Sequence, residues 1–305
     1  MFDLVRLRVL RTVADQGTLA AAADVLHLTP SAVSQQMAKL EREARCVLIE
    51  RHGRRVRLTE EGRLLAEHAE RILGAVEQAE ADLEERRGEV LGDFTVAAFP
   101  TAARGLLPRV LAAMNERYPR LRLGLREVEP YDAIAQLARG DVDLAIAQDW
   151  VNVPIAISDR LRSHDIGHDL IDVALPAGHR LADAATVALS DLVGERWIAS
   201  TAGTICHDWL TSTFRGAGHE PDIAHQAVEF PTQLGLVAAG LGVALMPRLA
   251  GDHVPDGVRL RPVEPAMSRR VFAVWREESG RKPAVRAFVE MAVEQWREHH
   301  YSLHV

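Results

Sequence analysis

From Leu65 to Leu83 the apolar residues Leu65, Ala69, Ile72, Val76, Ala79 and Leu83 recur at intervals of 4, 3, 4, 3 and 4. Such a heptad seam belongs to a helix that buries one narrow stripe and leaves the rest wet. Most of the intervening positions are charged, among them Glu67, Glu70, Arg71, Glu77 and Glu80. Thr59 can cap the helix, and Glu60 and Glu61 suit its positive N-terminal end. A charged helix with one dry stripe needs a partner for that stripe. An identical helix from a second copy is expected, giving a homodimer. Packing of the seam on the chain's own domain is the alternative. Gly88 and Gly92 mark the end of this linker/dimerisation segment, 59–91.

The segment divides a chain of 305 residues whose net charge of −7 is unevenly spread. Residues 1–58 hold ten Lys/Arg against six Asp/Glu, whereas residues 59–91 hold four against ten. A basic segment on an acidic protein is a candidate nucleic-acid footprint. With 48% hydrophobic and 26% charged residues the composition is globular, which excludes disorder and collagen-like repeats. Cys46 and Cys206 are the only cysteines, too few for a disulfide framework or a multi-cysteine metal site, and a reducing cytoplasm fits. The longest uncharged run, 230–247, is broken by Pro231 and three glycines, so no membrane span is expected.

Three helices can be drawn within 1–58. The first covers 4–15 and ends at Gly17; Thr18 caps a second over 19–26. The third starts at Thr29, with Pro30 at its first helical position, and runs to about Glu43. On it Val33, Met37 and Leu40 share one narrow arc, while Ser31, Gln35, Ala38 and Arg42 lie opposite, with Lys39 beside them and Ser34 at the flank. That outer face is small and polar, and Gln, Ser, Lys and Arg are the side chains that bond base edges and phosphates. A hairpin follows, with strands at 47–50 and 56–58 and a tip rich in arginine: Arg51, Arg54, Arg55 and Arg57 suit phosphates or a minor groove.

The string Ala20-Ala21-Ala22-Ala23, Leu28-Thr29-Pro30-Ser31-Ala32-Val33-Ser34-Gln35-Gln36, Leu40-Glu41, Leu48-Ile49-Glu50-Arg51 and Val56-Arg57-Leu58-Thr59 resembles the winged helix-turn-helix of the LysR-type transcriptional regulators. Later motifs extend the resemblance over nearly the whole chain: Leu106-Leu107-Pro108, Gly140-Asp141-Val142-Asp143-Leu144-Ala145-Ile146 and 238–247. The resemblance implies an α/β protein with an N-terminal winged helix-turn-helix (1–58), a long linker helix (59–91) and a two-lobed effector-binding domain (92–305) like periplasmic binding proteins. Lobe one would be 93–160 plus 268–305, and lobe two 161–267. By the same resemblance Thr29, Pro30, Ser31, Ser34, Gln35 and Lys39 face DNA from the third helix, and Arg51 and Arg54 from the wing. It implies a bacterial homodimer or homotetramer on an inverted-repeat promoter site of double-stranded DNA, with RNA polymerase as a further partner. The chain departs from the family in carrying Ala44-Arg45 where Leu-Gly is usual, which leaves open how the wing is oriented.

Beyond residue 92 strand and helix patterns alternate, which argues for parallel sheets covered by helices. Strands are expected at 94–98, 121–127, 142–147, 166–175, 197–199, 223–227, 243–245 and 271–275, and helices at 102–117, 131–139, 207–215, 232–239 and 284–298. Hydroxyls cluster at three strand-to-helix junctions: Thr101-Ala102; Ser200, Thr201 and Thr204; and Phe230 with Thr232. Helix starts offer free N–H groups and a positive dipole end. Each threonine alone could be a simple N-cap. By family position the junctions share one cleft, with Gln148 on its border and Phe230 as an apolar wall, and a small organic anion is the expected effector. Arg104 is a further candidate charge.

Two other readings stand beside this one: a redox sensor using Cys206, and an enzyme with a two-lobed cleft. No nucleophile elbow, phosphate loop or dinucleotide fingerprint occurs in its required context, so catalysis is not expected. No cofactor or metal is expected; His164 and His168 would be one turn apart on a helix but lack a third ligand.

Overall fold

The structure, a computed structural model, describes residues 1–53, 55–250 and 253–302. It falls into two compact units, Met1–Arg87 and Gly88–Val305.

In the first unit, α1 (Leu4–Gln16) ends on Gly17, whose left-handed backbone (φ 66) lets its N–H reach the Val13 carbonyl. Thr18 caps α2 (Leu19–Val25), and Thr29 caps α3 (Pro30–Ala44) by accepting from the Ala32 N–H at 3.2 Å. Leu7, Leu10, Val13, Val33, Met37 and Leu40 form one buried core with Leu48 and Ile49. The wing pairs β1 (Ile49–His52) with β2 (Arg55–Leu58), so its first strand starts two residues later than the sequence suggests. Glu41 accounts for the delay. Its carboxylate accepts from the backbone N–H groups of Leu48 (2.9 Å) and Ile49 (3.3 Å) and pins the entry to the wing on α3.

Arg45 takes the left-handed conformation that glycine would take (φ 56, ψ 29), with its N–H on the Glu41 carbonyl. The helix end keeps the usual shape at the expense of strain in a non-glycine residue.

Thr59 accepts from the Gly62 N–H (2.9 Å) and donates to the Val47 carbonyl (2.8 Å), joining the wing to α4 (Glu60–Arg87). Gly62 is required by proximity, since a Cβ there would lie 2.0 Å from the Leu48 carbonyl oxygen. The heptad seam divides along α4. Ala69 is buried and Leu65 half-buried in the core of their own unit, while Val76 is half-buried and Ile72, Ala79 and Leu83 are exposed.

The second unit is built on an eight-stranded mixed sheet. Its parallel part joins β3 (Gly92–Ala98), β4 (Leu121–Glu127) and β5 (Leu144–Asp149). Antiparallel pairs continue it through β12 (Ser268–Arg276) and the long β6 (Leu161–Pro176). Past its middle β6 pairs with β10 (Ala244–Pro247) and β11 (Val258–Glu264), and β11 pairs with the short β7 (Val187–Ala188). A separate parallel pair joins β8 (Arg196–Ala199) and β9 (Asp222–Gln226). The expected parallel sheet is found in β3, β4 and β5, whereas β6 and β12 are antiparallel crossings shared by both halves of the unit. His164 and His168 lie on β6, not on a helix.

The helix expected over 102–117 is two helices, α5 (Pro100–Gly105) and α6 (Leu107–Arg117), broken at Leu106. Gly105 sits where a Cβ would lie 2.5 Å from the Leu249 carbonyl oxygen. The remaining helices are α7 (Pro130–Arg139), α8 (Ile205–Gly216), α9 (Phe230–Ala238) and α10 (Pro283–Ser302). One core lies under α6 and α10, and two others lie under α8 and α9. A further cluster draws on both halves, placing Ala145, Ala147 and Trp150 with Ile205, Trp209 and Ile171. Among the described residues no helix is long and apolar enough to cross a membrane.

Candidate functional site

Two regions carry exposed or enclosed polar chemistry. The first is the outer face of α3. Val33, Met37 and Leu40 are buried beneath it, which fixes the rotation of the helix. Thr29, Pro30, Ser31, Gln35 and Lys39 are consequently exposed, with Ser34 half-buried at the edge. Thr29 and Ser31 share a hydrogen bond of 2.9 Å at the helix start. Arg51 lies in β1 opposite Val56, and Arg55 and Arg57 are exposed on β2. Arg54 falls outside the described residues.

The second region is a cleft in the Gly88–Val305 unit. Phe99, Pro100, Thr101, Glu129 and Gln148 line it from one half, and Ser200, Thr204, Cys206, Val228 and Phe230 from the other. Of the residues expected there, Thr101, Gln148, Ser200, Thr204 and Phe230 come together. Ala102 is buried in the core beneath α5. Thr201 and Thr232 stand outside the lining; Thr201 uses its carbonyl to accept from the Thr204 hydroxyl at 2.8 Å, and Thr232 is exposed on α9. Arg104 donates to the Ala250 carbonyl (2.8 Å) and does not line the cleft.

The floor is a residue that sequence reasoning missed. Arg269 on β12 is fully buried. Its Nε donates to Asp169 Oδ2 (2.9 Å), its Nη2 to Thr101 Oγ1 (2.6 Å) and its Nη1 to Gln148 Oε1, while its guanidinium lies 5.0 Å from the centre of the Phe99 ring. Gln148 in turn donates from Nε2 to Cys206 Sγ (3.3 Å), across to the other half. Asp169 also accepts from the Leu249 N–H at 2.9 Å, so both of its oxygens are used. This network compensates a buried charge with an opposite charge and hydrogen bonds, as burial demands.

Above that floor the helix starts differ. Thr204 caps α8 by accepting from the His207 N–H. α5 and α9 begin at Phe99 and Glu229 with no side-chain cap, and each has a proline, Pro100 or Pro231, in its first turn where one N–H would stand. Burial, seconded by Asp132, raises the pKa of Glu129 against the opposing pull of Arg269. Burial likewise raises that of the Cys206 thiol, although Arg269 and Gln148 pull it down. A thiol held protonated is a poor nucleophile. Cys46 belongs to the other unit, packed against the winged core.

Comparisons with known proteins agree with this division. The model described as "Bacterial regulatory helix-turn-helix protein, lysR family" matches residues 4–63, and that described as "LysR substrate binding domain" matches residues 87–297. The chain is 30% identical over 295 residues to the transcriptional dual regulator GltC of Bacillus subtilis, covering 96% of this chain and 97% of that one. It is 29% identical over 303 residues to a hydrogen peroxide-inducible genes activator of Dickeya chrysanthemi, covering 96% and 94%. Among solved structures it resembles a peroxide-bound OxyR mutant of Corynebacterium glutamicum, with a TM-score of 0.63, 25% identity and coverage of 97% and 93%.

Proposed function

The chain belongs to the LysR family of DNA-binding transcriptional regulators, and from that premise we propose how its two regions divide the work. It is a regulator with an effector-binding domain and not an enzyme. Our reading is that α3 enters the major groove with Ser31, Ser34, Gln35 and Lys39 toward the bases and backbone. Thr29 and Pro30 fix the helix start, and Arg51 and Arg54 of the wing hold phosphates. The rigid core under α3 supports this, because it leaves only that polar face outward.

Dimers joined through the outer part of the α4 seam, at Ile72, Val76, Ala79 and Leu83, would present two such helices to an inverted repeat, and pairs of dimers would form a tetramer beside RNA polymerase. The exposure of Ile72 and Leu83 supports that contact, while Leu65 and Ala69 serve their own unit. The protein would work in the cytoplasm, where a bacterial promoter is reached.

The effector is proposed to be a small organic anion seated above Arg269, with its charged end on Thr101, Ser200, Thr204 and the uncapped starts of α5 and α9. The observation that carries this is the buried Arg269–Gln148–Cys206 chain, which ties cleft occupancy to the relation of the two halves. A ligand shifts that relation only by its differential affinity for the two states. The test is a thermal-shift titration of the full chain with carboxylates and size-matched neutral amides. Stabilisation by carboxylates alone, weakened in Ser200→Ala, is the expected result; stabilisation by the amides alone would overturn the anion. Some relatives are hydrogen peroxide-inducible activators, which raises redox sensing, but burial favours the protonated Cys206 thiol and Cys46 belongs to the other unit.

A further inference from the structure

The turn between α3 and the wing is gathered around one residue. The carbonyl of Glu41 accepts from the N–H groups of Arg45 and Cys46, the latter at 3.3 Å. Its carboxylate Oε1 accepts from those of Leu48 (2.9 Å) and Ile49 (3.3 Å). Of the residues from Arg45 to Ile49, only Val47 directs no printed N–H bond to Glu41, and the Val47 carbonyl accepts the Thr59 hydroxyl at 2.8 Å. A carboxylate accepts such bonds more strongly than a neutral group does.

The bonds bear on direction more than on attachment. Leu48 and Ile49 are already held by their apolar side chains in the winged core. Hydrophobic burial is non-directional, so it keeps the hairpin on the unit without setting its tilt. Directional ties are few. Outside its own ladder the exit strand is tied at Val56, whose N–H reaches the Gly17 carbonyl at 2.8 Å. The entry strand is tied at Glu41. With both ties in place the hairpin has two fixed points; with one, it can turn about the other. Gln35 and Lys39 ride on the same helix as Glu41, so the second tie also fixes the wing against the face of α3 that is exposed.

We propose that Glu41 is a positioning residue for DNA binding, setting the angle of the wing to α3 so that Arg51 and Arg54 meet phosphates while Gln35 stays on its base pair. The proposal rests on the reading of α3 and the wing given above, and it names the residue that links them. Glu41 acts through the wing and not on DNA. By charge alone a carboxylate beside phosphates weakens binding, and its removal would tighten it. The positioning role predicts the opposite sign.

The test uses the full chain and a duplex that the unaltered chain selects from a randomised pool. Three variants separate reach from charge. Glu41→Gln keeps an acceptor oxygen at the same reach without the charge; Glu41→Asp keeps the charge one methylene short; Glu41→Ala removes both. The expected result is that Glu41→Gln keeps the salt dependence of the unaltered chain. Glu41→Asp and Glu41→Ala should bind more weakly, with the slope of log affinity against log salt reduced by about two, one for each wing arginine. Competition among base-pair variants of the duplex should show the same preference throughout, because the core that orients α3 is untouched. Arg54→Ala should take about one from the slope of the unaltered chain and nothing more from Glu41→Asp, since groups that act as a unit are not additive.

Affinities are compared below the melting temperature of the least stable variant, so that a loss of fold does not pass for a moved wing. Glu41→Asp carries the test if Glu41→Ala does not fold. Tighter binding by Glu41→Gln and Glu41→Ala would make the carboxylate a charge and not a spacer, and would overturn the proposal. So would a Glu41→Asp that matches the unaltered chain, or additive losses with Arg54→Ala. If Arg51→Ala and Arg54→Ala were both silent in the unaltered chain, the wing reading would fall and the proposal with it. Wing arginines that matter beside a silent Glu41 would sink the proposal alone.

Discussion

The outer face of α3 and the floor of the cleft are both polar, but they store their polarity in opposite ways. Ser31, Gln35 and Lys39 are exposed, so in the free protein water satisfies them and their loss leaves no buried debt. Arg269, Asp169, Gln148 and Thr101 are buried and satisfy one another. A recognition surface can be changed one residue at a time, because each group answers only to its target. A cleft floor cannot, because each group is another's partner. The contrast separates residues that read from residues that hold.

The sharpest way to break that contrast is Arg269→Met. It strands Asp169 in the interior, and removal of one member of a buried pair typically costs about 3–5 kcal/mol. Chemical denaturation of the full chain should show a loss of that size. Adding Asp169→Asn to Arg269→Met should recover part of it, since the amide oxygen can still accept from the Leu249 N–H. A loss under about 1 kcal/mol for Arg269→Met would place the network among surface pairs and erase the distinction.

On α3 the same kind of deletion should leave stability alone and act on binding. Gln35→Ala is expected to remove about 1–3 kcal/mol of discrimination at one base pair, measured by competition among operator variants. Lys39→Ala should weaken all sequences alike and reduce the slope of log affinity against log salt by about one. If Gln35→Ala lowered affinity evenly and Lys39→Ala relaxed base preference, the assigned roles would be exchanged.

The contrast also explains what could be read from the chain. Signals that act within a few residues were legible: Thr18, Thr29 and Thr59 as caps, Gly17 as a helix end, and the burial of Val33, Met37 and Leu40 that turns α3 outward. The cleft floor depends on pairing between β12 and β6, where Arg269 meets Asp169 from a hundred residues earlier. Nothing local tells which of Arg269 and Arg270 turns inward. Arg270 lies on the other face, pairing with Asp149 at 2.6 Å and remaining partly exposed. The period of two along a strand supplied a choice between them but not its answer. Strand β11 was hidden for a different reason: Val258-Arg259-Leu260-Arg261 alternates for only four residues before Pro262 interrupts the pattern. Trp150 and Trp209 gave no warning of their stack, because 59 positions separate them and the turn that joins them lies in the tertiary fold.

A smaller effect is expected at the end of α3. Arg45 holds a left-handed conformation that costs a side-chain-bearing residue about 1 kcal/mol. Arg45→Gly should raise stability by about that amount, with DNA affinity changed little because the helix end already has the shape glycine prefers. A loss of stability would mean that the arginine side chain makes a compensating contact in the winged unit.

The mildest test of the cleft is its pH response. Burial, then Asp132, lifts the pKa of Glu129 above the usual carboxylate range, and Arg269 only partly opposes them. The folded chain thus favours the protonated carboxyl. Its contribution to stability is complete below the ordinary carboxylate pKa and is lost as pH rises through the raised folded value. Above that value Glu129→Gln should melt higher than the unaltered chain, and the two melting curves should converge on acidification. An anion in the cleft would lift the Glu129 pKa further, so carboxylate binding should draw in a proton and tighten as pH falls. Glu129→Gln should flatten that slope and strengthen binding at neutral pH. Two parallel pH profiles would detach Glu129 from the anion.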